Sequence, residues 1–366
     1  MLRKTLAVGL LAAMLAASST QAADLYGLGA GNPELQSIGP MAFGPAGIIF
    51  VGDSKGGAIF ALQTGDRDGD AAQASFNVEG LNVKIAEALG SSSQETQIVD
   101  IAVNPETGNV FAAVMASGKP ALVKVASGGE VSVVSMEKIH YAKAELVDVP
   151  EDKVVGEGRR ARNNRMSTVT DLAFVDGRLL VSGMSDAKAP SAVRSIEFPF
   201  DDVQQGTSVE IFHAAHGQVE DYATVRTFVP FNINGEPNVL AGFTCTPLVR
   251  FPVSKLQPSE KLRGTTVAEL GNRNTPIDMI AYQRDGENFL LIANDRRGVM
   301  KVSTADIEKN AGLTNPVGGG GTAGQPYETI ESWQNVVQLD KLNDTHAVVL
   351  LQAEGAPATL KSVELP

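Results

Sequence analysis

The chain has 366 residues, of which 43% are hydrophobic and 20% charged, with a formal net charge of −12. This length suits one large domain or two ordinary ones, and the acidic balance argues against binding nucleic acid or anionic lipid through the whole-protein field. A single cysteine, Cys245, excludes an intrachain disulfide, so stability must come from a buried core.

At the start of the chain, Arg3 and Lys4 precede an apolar run over 6–17 and then Ser18-Ser19-Thr20-Gln21-Ala22-Ala23. That order predicts a cleaved secretory signal over 1–22 and a mature protein over 23–366, periplasmic or secreted. No stretch approaches the roughly 20 apolar residues of a membrane-spanning helix.

From residue 40 onward one unit recurs. Its first strand is read at Pro40-Met-Ala-Phe43, Asp100-Ile-Ala-Val103, Asp171-Leu-Ala-Phe174, Thr227-Phe-Val-Pro-Phe231, Asp278-Met-Ile-Ala281 and Asn335-Val-Val-Gln-Leu339. Turns follow at Gly44–Gly47, Pro105–Gly108, Asp176-Gly177, Asn234-Gly235 and Asp285-Gly286; only the last copy, over 341–344, lacks the glycine. Glycine supplies the positive φ that tight hairpins demand. Second and third apolar runs follow each turn, and a fourth closes most units, at 74–79, 130–135, 208–213, 265–271 and 327–333.

Six such four-stranded units at roughly 50–70-residue spacing predict an all-β chain, a six-bladed β-propeller of antiparallel blades around a channel. The sixth unit runs out of chain before its fourth strand. The apolar segment 25–29 is expected to supply it, so that the mature N-terminal strand joins the C-terminal blade. Residues 81–90 read as a short helix between blades, with apolar Leu81, Ile85, Ala88 and Leu89. Segment 138–165 could hide a seventh blade, but its charge and few β-branched residues favour an insertion over 137–167. That insertion is either a lid over the channel mouth or a solvated excursion.

The stretch Ile48-Ile-Phe-Val-Gly-Asp53-Ser-Lys-Gly-Gly-Ala-Ile-Phe-Ala-Leu62, with Met41-Ala-Phe-Gly-Pro-Ala-Gly before it, resembles the strand–Asp–loop–strand repeat of NHL-type and SMP-30-like six-bladed propellers. The resemblance implies an architecture shared by lactonases, scaffolds and binding proteins, so it does not by itself select a function. The acidic and Asn metal ligands of SMP-30-like lactonases have no residue-by-residue counterpart in this chain.

A wheel of this kind crowds the inlet loops of its inner strands and the loops between second and third strands at one mouth, where ligands bind. Candidate ligand contacts there are Asp53, Asn274, Asp295 and Arg296. Asp100, Asp171 and Asp278 each stand just before an inner strand's apolar core. As a converging set they would suit a hard divalent metal such as calcium, or each would accept backbone N–H bonds and hold the blades in register. His213 and His216, followed by Glu220 and Asp221, are a second metal candidate, of the zinc or copper type. Asp66-Arg-Asp68-Gly-Asp70 resembles a piece of a calcium loop without its distal glutamate.

No Walker loop, GxSxG elbow or CxxCH site is present. The expected function is binding of a small molecule or an envelope protein at the mouth. The alternative is a metal-dependent propeller enzyme, a lactone or ester hydrolase or an oxidoreductase, using the same mouth.

Overall fold

The computed structural model describes residues 23–158 and 161–366; the expected leader, Arg159 and Arg160 lie outside them. The chain forms six antiparallel blades arranged as a ring, with little helix. Hairpin chemistry explains the recurrence. Asp176-Gly177, Asn234-Gly235 and Asp285-Gly286 all have positive φ at both central residues (49° and 74°, 52° and 85°, 53° and 82°), the turn whose twist matches paired strands. In the sixth blade, which has no such glycine, Asn343 Oδ1 closes the turn instead. It accepts from the Thr345 and His346 N–H groups at 3.0 and 2.9 Å.

The ring closes differently from the sequence expectation. The outer strand of the sixth blade is Asn77–Glu79, paired Thr359↔Glu79, Leu360↔Val78 and Lys361↔Asn77. The first blade takes its outer strand from Ile139–Glu145, inside the segment read as an insertion. Gly29–Gly31 pairs outside that strand, on the first blade and not on the C-terminal one. Burial accounts for the difference. Val78 packs among Leu350, Leu360 and the second blade's Val110 and Val123, whereas in the 25–29 segment Leu28 buries in the cluster between the first and third blades and Leu25 is 70% exposed.

The chain therefore lays down three strands of the first blade and crosses to the edge of the sixth. It then builds the second blade after helix Leu81–Leu89 and returns to finish the first. The six apolar clusters give the order around the ring. They join second to sixth, second to first, first to third, third to fourth, fourth to fifth and fifth to sixth. First and second blades thus stand in the reverse of their chain order, and two strands from distant sequence, rather than one, lock the wheel.

The chain beyond Ile139–Glu145 is pinned rather than loose. Arg194, fully buried in the third blade, donates to Asp148 Oδ1 at 2.7 Å, to the Thr168 carbonyl at 3.2 Å and to the Met184 carbonyl at 3.0 Å. Asp148 Oδ2 accepts from Gly206 N–H at 3.0 Å, so both charges are satisfied. Arg165 donates to the Lys55 and Pro150 carbonyls, and the chain from Met166 to Thr170 then borders the channel. The segment forms one wall of the mouth.

Candidate functional site at the channel mouth

Two cavities, of about 620 and 630 Å³, occupy the axis and meet at Asp100, Asp171 and Asp278, which line both. The carboxylates thus form the waist of the channel. Local backbone irregularity aims two of them. The pairing of the inner strands shifts register between Ile98 and Asp100 and between Pro276 and Asp278, a bulge that re-aims the following side chain. The same shift precedes Thr227 in the fourth blade and Gln338 in the sixth, so these are the equivalent positions there.

Each waist carboxylate reaches the next blade. Asp100 Oδ2 accepts from Met41 N–H at 2.7 Å, Asp171 Oδ2 from Phe228 N–H at 2.7 Å, and Asp278 Oδ2 from Leu339 N–H at 2.9 Å. The other oxygens of Asp171 and Asp278 accept from their own following N–H groups. A fourth member, Asp340, accepts from Val103 N–H at 2.7 Å and lines only the cavity on the far side of the waist, with Pro105 and Asn343. The inner strand read from the sequence ends at Leu339, one residue short of Asp340. The signal that could have found it is Gln338, whose side chain points to the same side of the strand two residues earlier.

These bonds hold neighbouring blades in register, yet they do not neutralise the ring. Among the described residues no Lys or Arg forms an ion pair with any of the four. Burial, reinforced by the charges of its neighbours, pushes Asp100 and Asp278 well above the usual carboxylate range. Burial alone is the main cause lifting Asp171 to about 7 and Asp340 to about 6. The ring therefore holds on to protons toward neutral pH, and its ionised form has no counter-charge among the described residues.

The three waist aspartates do not close into one first coordination sphere. Among the described residues, the trio whose ligand atoms lie within 4.8 Å of one another is His213, His216 and Glu220. A cation at the waist would therefore sit behind a shell of water or carry its charge on an organic group.

Of the four ligand candidates, Asp295 lines the mouth cavity. Asp53 does not: its buried carboxylate is occupied by the Gln36, Ser37 and Gly56 N–H groups and the Ser37 hydroxyl, and it braces the loops around it. Asn274 is buried and bonded to Asn294 and to Arg296 N–H. Arg296 points to solvent beside Asp295, at 3.8 Å. Arg226 takes its place as the basic group of the mouth. Among the described residues it makes no ion pair. Asp66, the head of the calcium-like fragment, is buried under Asn104, Thr107, Asn109 and Lys124 donors and serves the second blade's turn.

His213 and His216 lie away from the axis, where the outer strand of the third blade ends and the chain crosses to the fourth. Their Nδ1 atoms contact opposite oxygens of Glu220, at 2.9 and 2.7 Å, with ring centroids 3.7 Å apart. Burial raises Glu220, but bonds from His213, His216 and Gln218 outweigh it and hold the carboxylate below its ordinary range. Burial pulls His213 down despite Glu220. Glu269, on the adjoining strand of the fourth blade, is raised by burial to about 7.

No protein-family model matches the chain, and no curated protein matches it in sequence. Among solved structures it is similar to a PQQ-bound aldose sugar dehydrogenase from Streptomyces coelicolor (11% identity, 92% and 96% of the two chains, TM-score 0.34). It is likewise similar to a streptogramin B lyase (10%, 92% and 97%, TM-score 0.37) and to a chain of the mitotic checkpoint complex (8%, 92% of each, TM-score 0.40). At these TM-scores the likenesses carry nothing about role or site, and the six-bladed ring rests on the sheet topology and the core clusters. The finer resemblance of the first blade to NHL-type and SMP-30-like propellers is not reached by these likenesses.

Proposed function

We propose that this protein is an exported binding propeller whose channel mouth takes a small molecule bearing an ammonium or similar cationic group. The observation that carries the reading is the separation of charge in one cavity of about 620 Å³. Asp100, Asp171 and Asp278 form its floor, and Arg226 stands at its side with Asp295 near it but not ion-paired to it. A ligand that places its positive end on the floor relieves repulsion among the carboxylates; an anionic end would meet Arg226. A zwitterion of amino-acid size satisfies both. The remaining lining mixes hydroxyl and amide groups (Ser54, Thr170, Gln97) with apolar Met115, Met166 and Ile277, the balance of a small-molecule site. Export rests on the basic, apolar and small-residue order of 1–22.

The test is a thermal-shift and calorimetric titration of the mature chain with L-lysine, glycine betaine, putrescine, succinate, glucose and calcium chloride. Lysine, betaine or putrescine is expected to bind, with at least tenfold weaker affinity in Asp278→Asn. Zwitterions should also weaken in Arg226→Ala while putrescine does not. Binding of succinate or glucose alone, indifferent to Asp278→Asn, would refute the reading.

A further inference from the structure

We infer that His213, His216 and Glu220 form a divalent transition-metal site of the zinc type on the perimeter of the wheel, separate from the channel. The three side chains come from one short excursion between the third and fourth blades, and one ligand atom of each lies within 4.8 Å of the others. Two imidazoles and one carboxylate are a donor set suited to zinc, and to copper by affinity order.

The geometry is close to a loaded site without being one. Each imidazole Nδ1 meets its own Glu220 oxygen, at 2.9 and 2.7 Å. With metal–ligand bonds of about 2.0–2.2 Å in a tetrahedral arrangement, nitrogen and oxygen would stand about 3.3 Å apart. Each contact therefore opens by about half an ångström to admit an ion. The exposed end of the turn allows this, since the His216 side chain is 46% exposed while those of His213 and Glu220 are 2% and 3%.

A second observation points to a ligand. With Nδ1–H donated to Glu220, His213 leaves Nε2 as a buried acceptor without a partner. Glu269 Oε2 is also buried and unpartnered, while its Oε1 accepts from Ala215 N–H at 3.1 Å, inside the same turn. Orphaned polar atoms of this kind are costly and uncommon. A metal on Nδ1 transfers the ring proton to Nε2, converting that orphan into a donor. A metal-bound histidine ordinarily passes its outer N–H to a carboxylate, a carbonyl or water; His213 Nε2 and Glu269 Oε2 do not bond one another, and each is left without a partner at this turn. Three protein ligands and the half-exposed His216 leave a further position open to solvent.

Chelator-stripped mature protein titrated with zinc chloride by calorimetry tests the site. One zinc per chain is expected, with a rise in Tm on loading. His216→Ala and Glu220→Gln, each removing a proposed ligand, should lose more affinity than the roughly 10–100-fold typical of outer-shell changes, and Asp278→Asn none. Because His216→Ala also removes a partner from the buried Glu220, the metal-free Tm of each variant is measured alongside; a folded metal-free variant that no longer binds zinc separates lost coordination from unfolding. Absence of saturable binding, binding retained in both His216→Ala and Glu220→Gln, or zinc lost in Asp278→Asn would each overturn the assignment.

Discussion

The waist of the channel and the His–Glu turn on the perimeter both gather acidic side chains, but they treat them in opposite ways. At the waist each carboxylate is tied to the backbone of the next blade, so the fold itself demands these residues, and their unmatched charge is a by-product that a ligand can exploit. On the perimeter Glu220 is held only by side chains, two of them imidazoles, and buried atoms nearby are left without partners. A carboxylate bound by backbone donors serves the architecture first. One bound by side chains that are themselves metal ligands is available for coordination. A third arrangement, Asp148 with Arg194, is fully paired and marks the limit at which a buried acid is neutral to its surroundings.

The sharpest way to probe this contrast is to break the paired case. Arg194→Ala strands Asp148 without its counter-charge and leaves two carbonyls unsatisfied. It should cost about 3–5 kcal/mol in a urea titration. At the waist, Asp278→Ala exposes the Leu339 and Met279 N–H groups to loss of their acceptor. About 1–3 kcal/mol is expected, partly offset by relief of repulsion with Asp100, and Asp278→Asn should cost less than Ala.

The pH dependence has a definite sign. Asp171 is raised from 3.8 to about 7 and Asp340 from 3.8 to about 6, so the unfolded chain gives up these protons first. The stability they contribute is fully present below about pH 4 and is lost as pH rises through about 6 to 7. Tm from scanning calorimetry should therefore fall between pH 5 and pH 7.5, and Asp171→Asn should flatten that slope. A wheel that gains stability over this interval would place the waist with the paired acids instead. The smallest effect belongs to the perimeter: without metal, His216→Ala removes one partner of Glu220 Oε1 and leaves the Gln218 donor there, and should cost about 1 kcal/mol.

Legibility in the sequence divides along the same line. The blade count and inner strands were readable because Asp-Gly and Asn-Gly turns and strand-length apolar runs are local signals. Three waist aspartates were visible because each precedes an apolar core in the same way; the fourth, Asp340, sits after Gln338 and breaks that pattern. The closure was not legible. Whether Val78 or Leu25 completes the sixth blade depends on which buries against Leu350 and Leu360, a contact across most of the chain. Arg226 stands among the mouth loops in the sequence, but nothing local ranks it above Arg296 or tells an arginine facing the axis from one facing outward. Asp53 looked like a ligand residue because its loop position suited one; only the four donors around it reveal a brace.

The central claim is that the waist is a ring of carboxylates held by backbone donors and left without counter-charge. Aspartate-selective 13C labelling, with Asp→Asn variants for assignment, tracks each side-chain carboxyl through a pH titration. The account predicts that Asp171 and Asp340 titrate with midpoints near 7 and 6, and Asp100 and Asp278 well above the ordinary 3.8, in the ligand-free protein. Midpoints near the ordinary 3.8 for all four would contradict it, because the carboxylates would then feel neither desolvation nor one another, and a cation would have no repulsion to relieve.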